Sequence, residues 1–197
     1  MKHVLSLLLA LVVSGVAVVA ADPPPEPAKP VKPALVVIDI QNAFLKWVPE
    51  KDRTIAFLYI GACIEKFREH KLPVILVYHT DPKQGPKPGT EAFEFPASVK
   101  VEPGDPKVIK NHPSGFKKTD LEKILREKGV NTLFLCGLSA TGCVLATYHG
   151  AKDLDFRVFM VQNAIMSHDT ELTKAVERIC DTVTYEAMEL VLDSLKP

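Results

Sequence analysis

From residue 34 onward, short apolar runs alternate with segments whose apolar residues recur at helical spacing. The runs are "ALVVID" (34–39), "LPVILVYHT" (72–80), "TLFLCGL" (132–138), "DFRVFMVQNA" (155–164) and a last short one near Val183. These short apolar runs read as buried strands rather than helices. Between them, residues 52–71 place Ala56, Ile60, Cys63 and Phe67 on one face. Residues 119–129 carry Leu121, Ile124 and Leu125 after a Thr119/Glu122 capping-box pattern, with Gly129 as the stop. Residues 167–180 carry Leu172, Ala175, Val176 and Ile179. This alternation implies βαβ units. The expected fold is α/β: a three-layer α/β/α sandwich, Rossmann-like, with a mostly parallel sheet of five to six strands. Ligands of such sheets bind outside the carboxyl ends of the strands. The residues closing each strand are therefore the candidates for chemistry.

The pattern before residue 34 is different. A short basic start, Met1-Lys2-His3, leads into an almost wholly apolar run ending in "VVAAD". Residues 1–21 read as a secretory signal peptide, with cleavage after Ala20 or Ala21. The competing reading is an uncleaved membrane anchor, because the run approaches the ~20 residues that span a bilayer. No cysteine follows it for a lipid anchor. Cleavage would leave no stable membrane insertion and an exported, periplasmic or secreted protein. Residues 22–33, "DPPPEPAKPVKP", hold six prolines and form an extended spacer. The domain is expected over 34–197, about 165 residues and enough for one sizeable core.

Charge narrows the partners. Twenty-four basic residues balance twenty-four acidic ones, and no basic run or basic-aromatic interleaving occurs. Nucleic acid is not an expected partner; a small-molecule substrate or another chain is. No cofactor-binding fingerprint stands out. The stretch from Pro82 to Pro106 is a long, Pro/Gly-rich excursion containing Phe93 and Phe95, and long loops of that kind are often functional.

The four cysteines lie at 63, 136, 143 and 180. Cys63, Cys136 and Cys180 sit in apolar helix or strand settings and read as small core residues. Cys143 follows "GLSAT", where Gly137 permits a sharp turn and Thr141 is a candidate N-cap. A helix start lowers a thiol pKa and offers free amides to an oxyanion. A plain buried cysteine is the equal alternative for this residue alone. Asp39 closes the first run as a cap, a turn former or a functional carboxylate. Lys110, in "VIKNHPSGF", is by itself a solvated loop lysine or a functional one. His79 and Asp81 end the second run, but the ligand count that zinc requires is not met locally, so no metal site is expected.

Together these residues resemble the isochorismatase-like cysteine hydrolases, which include nicotinamidases and N-carbamoylsarcosine amidohydrolase. "VVIDIQNAF" is similar to the family's first-strand motif, "VIKNHPSGFKKTDL" to its lysine motif and "CGLSATGCVLAT" to its nucleophile motif. The resemblance spans residues 34–195 and implies Asp39, Lys110 and Cys143 as a catalytic triad. It also implies a cis peptide between Leu138 and Ser139, with the backbone amides of Ser139 and Cys143 as oxyanion hole. Gln41, Phe44, Trp47, His79 and Phe116 become the expected substrate pocket, with the 82–106 loop adding specificity. Neighbouring subunits often complete the pocket in this family, which implies a homo-oligomer.

The departures matter. Ala140 and Thr141 stand where many nicotinamidases have Thr and Asp, Asn163 replaces a fifth-strand Asp common in the family, and the nicotinamidase Asp-x-His metal motif is missing. A metal-dependent nicotinamidase is thereby disfavoured. Isochorismatases proper cleave a vinyl ether and commonly lack the cysteine, so Cys143 favours thiolate chemistry on an amide-type carbon. A catalytically inactive exported binding or scaffold protein on the same fold, or a nicotinamidase, is the competing expectation.

Overall fold

The computed structural model describes residues 30–81 and 83–195, so the expected signal peptide and most of the spacer lie outside the described residues. Six strands form one sheet: β1 (Pro33–Ile38), β2 (Val74–His79), β3 (Lys107–Lys110), β4 (Thr132–Leu138), β5 (Arg157–Met166) and β6 (Thr182–Val183). Every strand pair is parallel, and the order is β3-β2-β1-β4-β5-β6.

Strand alternation sorts the core into two layers. Leu35, Val37, Leu76, Tyr78, Phe134 and Cys136 point to one face, where helix α2 (Glu50–Glu69) contributes Ala56, Ile60, Cys63, Ile64 and Phe67. Helix α6 (Tyr185–Ser194) adds Met188 and Leu192 there. Ala34, Val36, Ile38, Ile75, Val77, Leu133 and Leu135 point to the other face. That side is covered by α3 (Leu121–Glu127), α4 (Leu145–Asp153) and α5 (Thr170–Ile179). Both faces of the central strands are buried, which is why they read as continuous apolar runs rather than alternating ones. All four cysteines are free, with Cys63 and Cys136 inside the α2 layer.

Four details differ from the sequence expectation. β3 is only four residues long and alternates exposed and buried positions, so it carries no apolar run to recognise. The C-terminal stretch holds α6 after the two-residue β6; Thr184 caps it by accepting from the Ala187 amide. The Thr119/Glu122 capping box does not form: Asp120 is the N-cap residue without a side-chain bond, while the Thr119 hydroxyl donates to the Gly115 carbonyl. Thr141 is no N-cap either. A π-helical segment, Ala140–Val144, begins directly after Ser139 and runs into α4.

β1 and β4 are neighbours, yet the chain leaves them toward opposite edges of the sheet. The crevice between their carboxyl ends is the topological switch point, the usual ligand position in open α/β sheets. Gly137 makes that junction tight. Its φ is +120°, and a Cβ there would lie 2.1 Å from the Ile38 carbonyl oxygen of β1. Both the backbone conformation and the contact require glycine. Gly137→Ala is expected to cost about 3 kcal/mol or more, or to prevent folding. Urea denaturation checks this, and an alanine variant as stable as the parent would contradict it.

Candidate active site

The site grows from three adjacent strand ends. Asp39 directly follows β1, and its amide donates to the Val77 carbonyl of β2 at 2.9 Å. Its φ of +52° is a left-handed conformation that Asp tolerates better than most residues. This turn keeps the carboxylate at the strand mouth, 4% exposed. Lys110 is the last residue of β3. The strand exposes Lys107 and Ile109 and buries Val108 and Lys110, so alternation alone sends the lysine inward. His79, the last residue of β2, pairs in register with Lys110.

Lys110 Nζ donates to Asp39 Oδ2 at 2.6 Å and contacts His79 Nδ1 at 3.1 Å. An ammonium has only protons to give, so His79 Nδ1 must accept. The imidazole is thus neutral, with its proton on Nε2. Burial and the Lys110 charge accordingly lower the His79 pKa. Gln41 secures this strand end from the β1 side. Its Nε2 donates to the His79 carbonyl at 3.0 Å, and its Oε1 accepts the His79 amide at 2.7 Å.

Cys143 arrives from β4. The Leu138–Ser139 peptide is cis, as the resemblance implied. Ser139 O then accepts the amides of Gly142 and Val144 at 2.9 and 3.1 Å, which shapes the π-helical segment around the cysteine. Thr147 Oγ1 donates to the Cys143 carbonyl at 2.7 Å and accepts from the Gly115 amide at 2.9 Å, tying the segment to the loop after β3. A carboxylate oxygen of Asp39, a ring nitrogen of His79 and Cys143 Sγ all lie within 4.8 Å of one another.

The electrostatics correct one expectation. The Cys143 thiol is pushed up to about 11, first by burial and then by the Asp39 carboxylate, against the pull of Lys110. The helix start therefore does not make a resting thiolate; lost hydration first, and then an adjacent negative charge, outweigh it. Asp39 is raised to about 6, because burial outweighs the opposing Lys110 ammonium and the smaller influence of Cys143. At neutral pH the proton rests on sulfur, beside a carboxylate more basic than usual.

These groups open into a cavity of about 290 Å³ lined by Asp39, Phe44, Trp47, Val48, His79, Leu138, Ser139, Cys143 and His168. Phe44 meets the His79 ring edge-to-face at 6.0 Å. Trp47 stands on the rim, 66% exposed. Two expected pocket residues do not line it. Gln41 is fully buried behind His79, and Phe116 stacks on Phe156 at 5.9 Å within the α3/α4 layer. The 82–106 loop acts indirectly. Phe93 and Phe95 are buried stacked on Tyr78 at 5.1 and 4.2 Å. The loop carbonyls of Glu94 and Ala92 hold the amides of Asn42 and Ala43 at the start of α1 (Asn42–Leu45), the short helix carrying Phe44. His168, absent from the expected pocket, follows the end of β5, where the strand-end rule reaches it. In the sequence it falls within 167–180, whose helical spacing masks it.

Asp39, His79 and Cys143 also offer three ligand atoms to a metal ion. Lys110 competes for that position, since its ammonium already bonds both Asp39 and His79 Nδ1. A divalent cation there would face a fixed positive charge, so the donor set does not fit a resident metal.

The isochorismatase domain model matches residues 33–182. The chain belongs to the isochorismatase family of hydrolases. It is 28% identical over 149 residues to the secreted isochorismatase effector Isc1 of Verticillium dahliae, covering 74% of this chain and 78% of that protein. It is 32% identical over 153 residues to a streptothricin hydrolase of Streptomyces noursei, covering 76% of this chain but 54% of that enzyme. Among solved structures, N-carbamoylsarcosine amidase from Thermoplasma acidophilum matches with a TM-score of 0.67 and 27% identity, covering 78% of this chain and 95% of that one.

The raised thiol yields a direct prediction. Alkylation of Cys143 by iodoacetamide, followed on its peptide by mass spectrometry, should accelerate about tenfold per pH unit to beyond pH 9. A rate already flat near neutrality would mean a preformed thiolate and contradict the charge balance described above.

Proposed function

We propose that this hydrolase cleaves an amide-type C–N bond of a small molecule through a thioester on Cys143, with Asp39 as proton carrier and Lys110 as its charge partner. The observation that carries this reading is the meeting of the Asp39–Lys110 pair with Cys143 Sγ at the switch-point crevice. Asp39 Oδ1, buried and without a hydrogen-bond partner, is available to receive a proton.

The steps follow from the charges. Sulfur attacks the carbonyl carbon as its proton passes to Asp39, so the thiolate exists only while the new C–S bond forms. The oxyanion is met by the amides of Ser139 and Cys143. When the C–N bond breaks, the leaving nitrogen takes the proton from Asp39. A water molecule then gives a proton to Asp39 while attacking the thioester. Collapse of the second tetrahedral species expels sulfur, which regains the proton, and releases the acid. Lys110 keeps Asp39 ionised near neutrality, and burial keeps it basic. The similarity to N-carbamoylsarcosine amidase supports the same bond class.

Because the acceptor must be ionised, kcat/KM should fall as pH drops through about 6, the Asp39 value. Lys110 lowers that value, so Lys110→Met should move the acidic limb to higher pH. Cys143→Ala should fold normally and turn nothing over. An acidic limb near an ordinary carboxylate value, a downward shift in Lys110→Met, or an active Cys143→Ala would each contradict the scheme.

A further inference from the structure

Among the described residues lining the cavity, Asp39 is the one carboxylate, and no lysine or arginine is present. The Asp39 charge is already matched by the fully buried Lys110 ammonium. His79 is neutral, since its Nδ1 accepts from Lys110. Phe44, Trp47, Val48 and Leu138 form the apolar part of the wall, and Ser139, Cys143 and His168 complete the lining. Lys46 holds its ammonium 4.9 Å from the Trp47 ring centroid and does not line the cavity.

We infer that the site selects uncharged amides with an apolar or aromatic acyl part and discriminates against acyl groups bearing a carboxylate. This substrate class rests on the cysteine-hydrolase reading above. A carboxylate entering the cavity would lose water beside ionised Asp39 without meeting an unmatched cation, so desolvation and repulsion act together. An apolar or flat group instead displaces water from Phe44, Trp47 and Leu138, and an aromatic one gains ring contacts as well. The His79 Nε2–H remains as a neutral donor suited to an uncharged acceptor. His168, exposed after β5, is the single lining group able to bring a positive charge to an anion.

Trp47 is the chain's single tryptophan, so its fluorescence reports occupancy without turnover. The probes are p-toluamide and terephthalamate, which differ by exchange of a methyl group for a carboxylate. They are titrated into Cys143→Ala, and into Cys143→Ser as a second inactive form. The expected result is saturable binding of p-toluamide, with terephthalamate weaker by about 30-fold or more. Equal or tighter binding of terephthalamate overturns the inference. If that binding disappears in His168→Ala, His168 is the counter-charge and the inference is again overturned. Absence of saturable p-toluamide binding also overturns it. Failure of the hydrolase reading is seen separately, as no turnover of p-toluamide by the parent protein while the binding preference persists.

Discussion

The ammonium of Lys110 and the carboxylate of Asp39 meet at 2.6 Å with almost no solvent around either. Burying two such ions costs several kcal/mol apiece before their attraction is counted. The arrangement holds because three parallel strand ends fix the partners: β1 delivers Asp39, β3 delivers Lys110 and β2 places His79 between them. The other properties of the site derive from this pair. Lys110 sets the neutral tautomer of His79. It restrains the rise of the Asp39 pKa, so the carboxylate is basic yet still ionised near neutrality. Burial, and then the Asp39 charge, hold the Cys143 thiol well above its usual range.

The sheet order makes the meeting possible. Residues 39, 110 and 143 are far apart in sequence, but the order β3-β2-β1-β4 sets their strand ends side by side. Gly137 lets β4 approach β1 closely enough for the Ser139–Cys143 segment to close over the crevice. The remaining polar and aromatic groups brace this frame. Gln41 locks the β2 end to the β1 exit, and the Tyr78–Phe93–Phe95 stack anchors the loop that positions α1.

The layers were legible because central strands buried on both faces leave unbroken apolar runs, and helices leave a four-residue rhythm. β3 was not, since a four-residue edge strand has too few positions to show a period. Asp39 and Cys143 could be singled out by the strand-end rule. Lys110 by itself reads as a solvated loop residue and only its motif marks it, because burial on an edge strand depends on a partner 71 positions away. The direction of the thiol shift was not legible because a helix start is visible locally, whereas the burial of the sulfur, and then the carboxylate of another strand, oppose it. Gln41 and Phe116 have pocket-like neighbours in sequence, yet their side chains turn into hydrogen-bonding and packing roles that only the tertiary structure decides.

The central claim is covalent catalysis on one sulfur. The most direct measurement is rapid acid quench of the protein during turnover of an uncharged amide, followed by mass spectrometry of the intact chain and its peptides. The predicted result is a transient acyl adduct on the Cys143 peptide that forms and decays at rates consistent with turnover. Turnover at full rate with no adduct, or an adduct on Cys63, Cys136 or Cys180 instead, would contradict it.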